Sequence, residues 1–193
     1  MAQDDITYQM VVIGGSAGSL DVVLKIVSGL PAQTKASFII VLHRKSDSES
    51  ILTNLLSIRT RLKVKEVEDK DEIHPGTIYL APPDYHLLLE DEKNFSLDSS
   101  EKVHYSRPSI DVTFESVAET FGRRAIGILL SGANSDGAIG LKQLREKGGL
   151  TIAQDPKTAE VDFMPRQAIA CNAAAQTLSP AGMIELLKIE LAK

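Results

Sequence analysis

The segment Tyr8–Gly29 reads as a buried strand, a glycine turn and a helix, and the recurrence of that unit restricts the fold more than any other feature of the chain. Tyr8–Ile13 is an apolar run of strand length closed by Gly14-Gly15; Leu20, Val23, Leu24 and Val27 then recur at helical spacing up to Gly29. Phe38–Leu42 and Ala125–Leu130 repeat the pattern. The first leads to a helix carrying Ile51, Leu52, Leu55 and Leu56, with Asp47 or Ser48 as its cap, and the second to a helix carrying Ile139, Leu141 and Leu144 that stops at Gly148-Gly149. Strands that are apolar throughout, rather than alternating, must be covered on both faces. The expected fold is therefore α/β, a doubly wound, mostly parallel sheet with helices on both faces.

Between these units the pattern loosens. Lys63–Val67, Gly76–Ala81, His86–Glu90 and Phe95–Leu97 read as short strands, with Asp91–Asn94 a hairpin turn, and they are expected to form a short antiparallel extension of the sheet. A helix from Ser109 or Asp111 buries Ile110, Phe114, Val117, Ala118 and Phe121; Leu150–Ala153 is a further strand, and Ser179-Pro180 opens a last helix facing inward through Met183, Ile184, Leu187 and Leu191. No linker, repeat or low-complexity stretch interrupts the 193 residues, so residues 1–193 are expected to form one domain, long enough to bury about 70% of its unfolded surface.

Composition removes several classes of function. A single cysteine, Cys171, forbids an intrachain disulfide and any cysteine-built zinc site, and fits a reducing, cytoplasmic compartment. The longest apolar runs fall far short of the ~20 residues of a membrane span, so no direct membrane insertion is expected. A net charge of -5 argues against nucleic acid as a partner. The one basic cluster, Arg59, Arg61, Lys63 and Lys65, reads as a solvated face.

In open α/β sheets ligands bind beyond the carboxyl ends of the strands, and the residues found there are Ser16, His43, the loop Ser131–Asp136 and Gln154-Asp155. Gly14-Gly15-Ser16-Ala17-Gly18 fits G-x-S-x-G between a strand and a helix, the setting of a nucleophile elbow, with the amide of Ala17 a natural oxyanion donor. The same residues also suit a turn that only makes room for packing, with Ser16 or Ser19 as an ordinary N-cap. A dinucleotide turn fits less well, because the second glycine of G-x-G-x-x-G is absent and His43-Arg44, not an acidic residue, closes the second strand. Of the four histidines only His43 reaches the crevice of Ser16; His74, His86 and His104 read as surface or hydrogen-bonding residues. Serine and histidine at one crevice make a hydroxyl and the base it needs. Asp136 can orient the imidazole, with Asp111 and Asp155 as rivals, or it can simply cap the helix that follows it.

Taken together, these residues resemble the catalytic domain of the CheB family of chemotaxis receptor methylesterases. The resemblance runs from Val11 to Leu187 through seven blocks: Val12–Gly18, Ile40–His43, His74–His86, Arg107–Val112, Leu130–Ala138, Gly149–Asp155 and Met164–Arg166. It implies a triad of Ser16, His43 and Asp136, and a serine hydrolase that removes methyl groups from glutamyl esters on the cytoplasmic helices of methylated chemoreceptors. In some relatives it implies deamidation of receptor glutamines as well. Neither cofactor nor metal is implied. Ala17 and Ala133 are expected to supply oxyanion amides, and Gly15, Gly18, Arg44, Asn134, Met164 and Pro165 to border the substrate.

The chain departs from the family pattern where Ala133 and Asn134 stand in place of Met and Gly, where Ser19 replaces a second glycine after the elbow, and at Asp162-Phe163. The resemblance also implies a receiver domain ahead of the esterase, yet little chain precedes Tyr8. The expectation is a stand-alone enzyme or a piece of a larger signalling protein, served by a separate receiver or methyltransferase domain. Two competing readings are a catalytically weakened binding or regulatory module, suggested by the altered Ala133-Asn134 loop, and a hydrolase of small-molecule esters or amides.

Overall fold

The structure, a computed structural model, describes residues 7–44 and 49–193. Its centre is a seven-stranded sheet of β1 (Met10–Gly15), β2 (Ser37–Leu42), β3 (Lys63–Glu66), β4 (Thr77–Leu80), β7 (Ala125–Leu129), β8 (Leu150–Gln154) and β9 (Gln176–Leu178). The strand order is β3-β4-β2-β1-β7-β8-β9 and every pairing in it is parallel. From β1 the chain passes to β2, skips out to the edge strand β3, comes back to β4 between them, and then crosses to the other side of β1 to step outward through β7, β8 and β9. The reversal beside β1 is the point at which doubly wound sheets open their ligand crevice.

Side chains of β1 alternate between two separate cores. Val11 and Ile13 face Val22, Val23, Ile26 and Val27 of α1 (Leu20–Gly29), Leu52 and Leu56 of α2 (Glu49–Ser57), and Met183 and Leu187 of α6 (Pro180–Glu190). Met10 and Val12 face the other way. There they join Ile110, Phe114 and Val117 of α3 (Ile110–Phe121), Leu141 and Leu144 of α4 (Ala138–Glu146), and Met164 and Ala168 of α5 (Phe163–Ala170). A two-sided core of this kind is what uniformly apolar strands demand. The helical faces are rotated slightly from expectation: Leu20, Ile51 and Ile139 are exposed, while Val22 and Ile26 are buried in their stead along α1.

The middle of the chain behaves differently from its reading as an antiparallel extension. The strands β5 (His86–Leu89) and β6 (Phe95–Asp98) do form an antiparallel hairpin, but as a sheet of their own, laid over α3 by Leu87, Leu89 and Phe95. In contrast, β3 and β4 pair in parallel with each other, and β4 pairs in parallel with β2. All of β4 is buried, as expected of an interior parallel strand, whereas β3 is the sheet edge. The basic cluster lies along this edge: Arg59, Arg61 and Lys63 are exposed, and Lys65 pairs with Asp71 at 2.7 Å. Lysines on an edge strand discourage a second sheet from adding there. The proposed caps of α2, Asp47 and Ser48, lie outside the described residues. Two short elements, α5 and β9, were not expected.

Candidate active site

The elbow is built by backbone. Ser16 follows β1 directly, its amide donates to the Ser131 carbonyl at 2.9 Å, and its own carbonyl accepts the amide of Ser19 at 3.1 Å and the Ser19 hydroxyl at 2.7 Å. Gly18 takes φ +75, a conformation that L side chains rarely adopt, so the chain can turn from strand into helix within three residues. Ser19 occupies the N-cap position of α1 but makes no side-chain cap. The Ser16 hydroxyl does not cap the helix either. It points to His43.

Next door, the amide of His43 donates to the Gly15 carbonyl at 3.2 Å, which extends the β1–β2 pairing by one step and sets His43 beside Ser16. The imidazole Nδ1 lies 3.2 Å from Ser16 Oγ and Nε2 lies 2.7 Å from Asp136 Oδ2. An ionised carboxylate at Nε2 keeps the proton there and turns the Nδ1 lone pair toward the hydroxyl.

Asp136 does not cap its own helix, whose N-cap position is Gly137. Fully buried, it caps α3 from outside. Its oxygens accept the Ser109 hydroxyl at 2.8 Å, the Ile110 amide at 2.7 Å and the Asp111 amide at 2.9 Å, besides His43. Burial on its own pushes such a carboxyl up, but the His43 bond, the Asp111 and Ile110 amides and the Ser109 hydroxyl outweigh it and hold Asp136 below the usual carboxylate range. The positive end of α3 adds to the same effect. His86, also buried, steadies that helix end by accepting the Ser109 amide on Nδ1 at 3.1 Å.

Of the rival carboxylates, Asp155 caps its own short turn through the Lys157 amide. Asp111 looks away from His43: it accepts the Gly140 amide at 2.6 Å and pairs with His104 at 3.2 Å. Burial pushes Asp111 up to about 6, the nearby Asp136 charge adds to the rise, and the Gly140 amide and His104 oppose it.

The remaining expected residues divide. Among the described residues, neither the Ala17 nor the Ala133 amide donates to a protein acceptor, whereas the neighbouring Gly132 amide is used by the Val161 carbonyl. Both alanines are exposed. Arg44 lines the hollow beside Ser16 and His43, of about 210 Å³, but its guanidinium is tied to Glu66 and to the Ala81 carbonyl. The Asn134 side chain is spent on the Asp136 amide at 3.0 Å. Met164 and Pro165 are buried behind the loop, with the Met164 amide on the Gly132 carbonyl at 3.0 Å. Gly15 and Gly18 form the elbow itself.

From the sequence Ser131 stands only as the first residue of the loop after the third strand and Ser109 only as a helix start; their roles in the site were missed. Ser131, fully buried, receives the Val161 amide and lies 2.7 Å from the Ala17 carbonyl, joining elbow, β7 loop and the approach to α5. Its only signal was a place directly after an apolar strand.

A doubly wound sheet that holds a hydroxyl, an imidazole and a buried carboxylate in series at its switch point has the layout of a serine hydrolase. Residues 11–187 match the profile of the CheB methylesterase family. The chain belongs to that family. A protein of Leptospira interrogans is 45% identical over 93% of this chain and 93% of its own. The protein-glutamate methylesterase/protein-glutamine glutaminase of Symbiobacterium thermophilum is 36% identical over 91% of this chain, and protein-glutamate methylesterase FrzG of Myxococcus xanthus is 38% identical over 89%. The chain spans only 48% and 51% of those two longer proteins. The crystal structure of the Thermotoga maritima CheB methylesterase catalytic domain superposes with a TM-score of 0.87 at 34% identity, covering 94% of this chain and 100% of that one. Among the described residues, no helix is long and apolar enough to cross a membrane.

Proposed function

We propose that this chain demethylates glutamyl esters on a chemoreceptor by acyl transfer through Ser16, with His43 as general base and Asp136 as the carboxylate that orients the imidazole and stabilises the charge it gains with the Ser16 proton. The observation that carries the reading is the unbroken series Ser16 Oγ, His43 Nδ1, His43 Nε2, Asp136 Oδ2, at 3.2 and 2.7 Å. His43 takes the Ser16 proton as the oxygen attacks the ester carbonyl. The charge that develops on the carbonyl oxygen falls to the amides of Ala17 and Ala133, which no protein acceptor occupies among the described residues. The proton then passes from Nδ1 to the departing methoxide, methanol leaves, and water hydrolyses the acyl-enzyme. The ring addresses the nucleophile through Nδ1 rather than Nε2, but the division of labour is that of any Ser-His-Asp set.

A helical receptor segment suits the site, since Ser16 stands at an open carboxyl edge rather than in a closed cavity. The second name borne by the Symbiobacterium relative, protein-glutamine glutaminase, supports the same chemistry on a receptor glutamine, with ammonia leaving in place of methanol.

The test is methanol release from a methylated receptor fragment, run beside ammonia release from its glutamine form. Ser16→Ala is expected to lower methanol release by about 10³–10⁶-fold with the fold intact. Release at the native rate by that variant overturns the assignment, and native protein inactive on both substrates overturns the function.

A further inference from the structure

Two hydroxyls address one nitrogen of His43. Ser16 Oγ stands 3.2 Å from Nδ1, and Ser106 Oγ, sixty-three residues further along the chain than His43, stands 3.4 Å from the same atom. With its proton on Nε2 toward Asp136, the ring has a single lone pair at Nδ1 and can serve only one donor well at a time. In the free enzyme Ser16 is that donor. Ser106 has another outlet for its proton, the His104 carbonyl at 3.4 Å, and when it uses that outlet its oxygen turns lone pairs toward the imidazole.

The hydroxyl is held in place from both sides. Val103 and Ser106 exchange backbone hydrogen bonds at 3.1 and 2.9 Å, closing a two-residue turn in which His104 and Tyr105 have φ 49 and 61. Residues other than glycine keep such angles only where their surroundings hold them. Here His104 pairs with Asp111 behind the triad, and Arg107, next to Ser106, donates to the carbonyls of Ser99 and Ser100. Among the described residues the Ser106 hydroxyl has no other hydrogen bond, and so no evident task in holding the fold.

We propose that Ser106 is a positioning residue for the second half of the reaction: it holds the water that hydrolyses the acyl-enzyme. The inference rests on acylation of Ser16 as proposed above. Once methanol has left, Ser16 Oγ is esterified and brings no proton to Nδ1. A water entering there gives one hydrogen to His43 Nδ1 and the other to Ser106 Oγ, and two acceptors fix an orientation that one leaves free. The water oxygen bonds to the acyl carbon as its proton passes to Nδ1. The bond from that carbon to Ser16 Oγ then breaks, Nδ1 returns the proton to Ser16, and the glutamyl carboxylic acid departs and ionises in solvent.

The experiment separates the two halves with p-nitrophenyl acetate, which needs only nucleophile and base, followed from the first turnover in the full chain. Ser106→Ala is expected to release its first equivalent of p-nitrophenolate at the native rate and then to turn over about tenfold more slowly, the loss of one neutral hydrogen bond. Ser106→Thr, which keeps the hydroxyl, is expected to recover most of the steady rate. Added hydroxylamine, a nucleophile that does not depend on the held water, is expected to restore turnover in Ser106→Ala. Native steady-state turnover in Ser106→Ala overturns the proposal while leaving Ser16 acylation standing, and so does a first equivalent slowed as much as the later ones. Native protein that never forms an acyl-enzyme overturns both readings.

Discussion

Ser16, the proposed nucleophile, and Asp136, the carboxylate proposed to serve it, are held in opposite ways. Ser16 is set by its neighbours in the chain: the end of β1, the positive φ of Gly18 and the Ser19 hydroxyl on the Ser16 carbonyl. Asp136 is set by residues more than twenty positions away, Ser109, Ile110 and Asp111 at the start of α3, and by His43. A turn needs only short-range instructions. A buried negative charge needs donors, and donors in that number come from the end of a helix whose amides have no partners within it.

That contrast can be broken most directly at Asp136. Asp136→Asn is expected to lower kcat by about 10⁴-fold, because an amide cannot hold the Nε2–H tautomer and must turn its own N–H groups toward the α3 amides or toward His43. Circular dichroism checks that the fold survives; a loss of only a few-fold would mean that the carboxylate is a helix cap and nothing more. A milder probe removes one donor. Ser109→Ala is expected to reduce kcat about tenfold and stability by about 1 kcal/mol, since the hydroxyl serves Asp136 and also caps α3 through the Val112 amide. If stability falls and kcat does not, the cradle serves the helix alone.

The smallest expected effect concerns Asp111, the neighbouring carboxyl, which burial pushes up rather than down. Burial raises it from 3.8 to about 6, so the folded chain binds this proton more tightly than the unfolded chain does. Stability is thus lost as pH rises through that window and stays lost above it. Asp111→Asn has no charge to bury and is expected to melt a few degrees above the native protein at pH 8, with the gap closing toward pH 4. Asp136 runs the other way. Its lowered pKa stabilises the fold above the usual carboxylate range, and that contribution fades as pH falls. Thermal melts at both pH values check the two signs, and an Asp111→Asn gap that widens in acid would reverse the assignment.

What the sequence made legible follows the same division. Uniformly apolar strands announced a two-sided parallel core, and G-x-S-x-G announced the elbow, because both are contiguous patterns. The parallel pairing of β3 and β4 was hidden because Val67–Gly76, the stretch that joins them, contains no helix, the usual sign of a parallel crossover. Likewise α5 carries Pro165 in its first turn and β9 has three residues, too little pattern to stand out. Position at strand ends singled out Ser16 and His43 and left Asp136 among three candidate carboxylates, the CheB resemblance chose Asp136, and neither pointed to the cradle around it. Ser109 reads as a cap for its own helix, and nothing nearby in the chain says that the same hydroxyl reaches a carboxylate twenty-seven residues away.

The Asp136 contact with α3 also bears on the order of events during folding. With the His43 bond to the same carboxylate, the cluster forms only when β1, β2 and β7 lie side by side and the first turn of α3 is in place. On the proposed mechanism, hydrolytic competence therefore reports completed assembly. On that mechanism a chain in which the Asp136 cluster has not closed lacks the carboxylate that orients His43, and is expected to hydrolyse no ester.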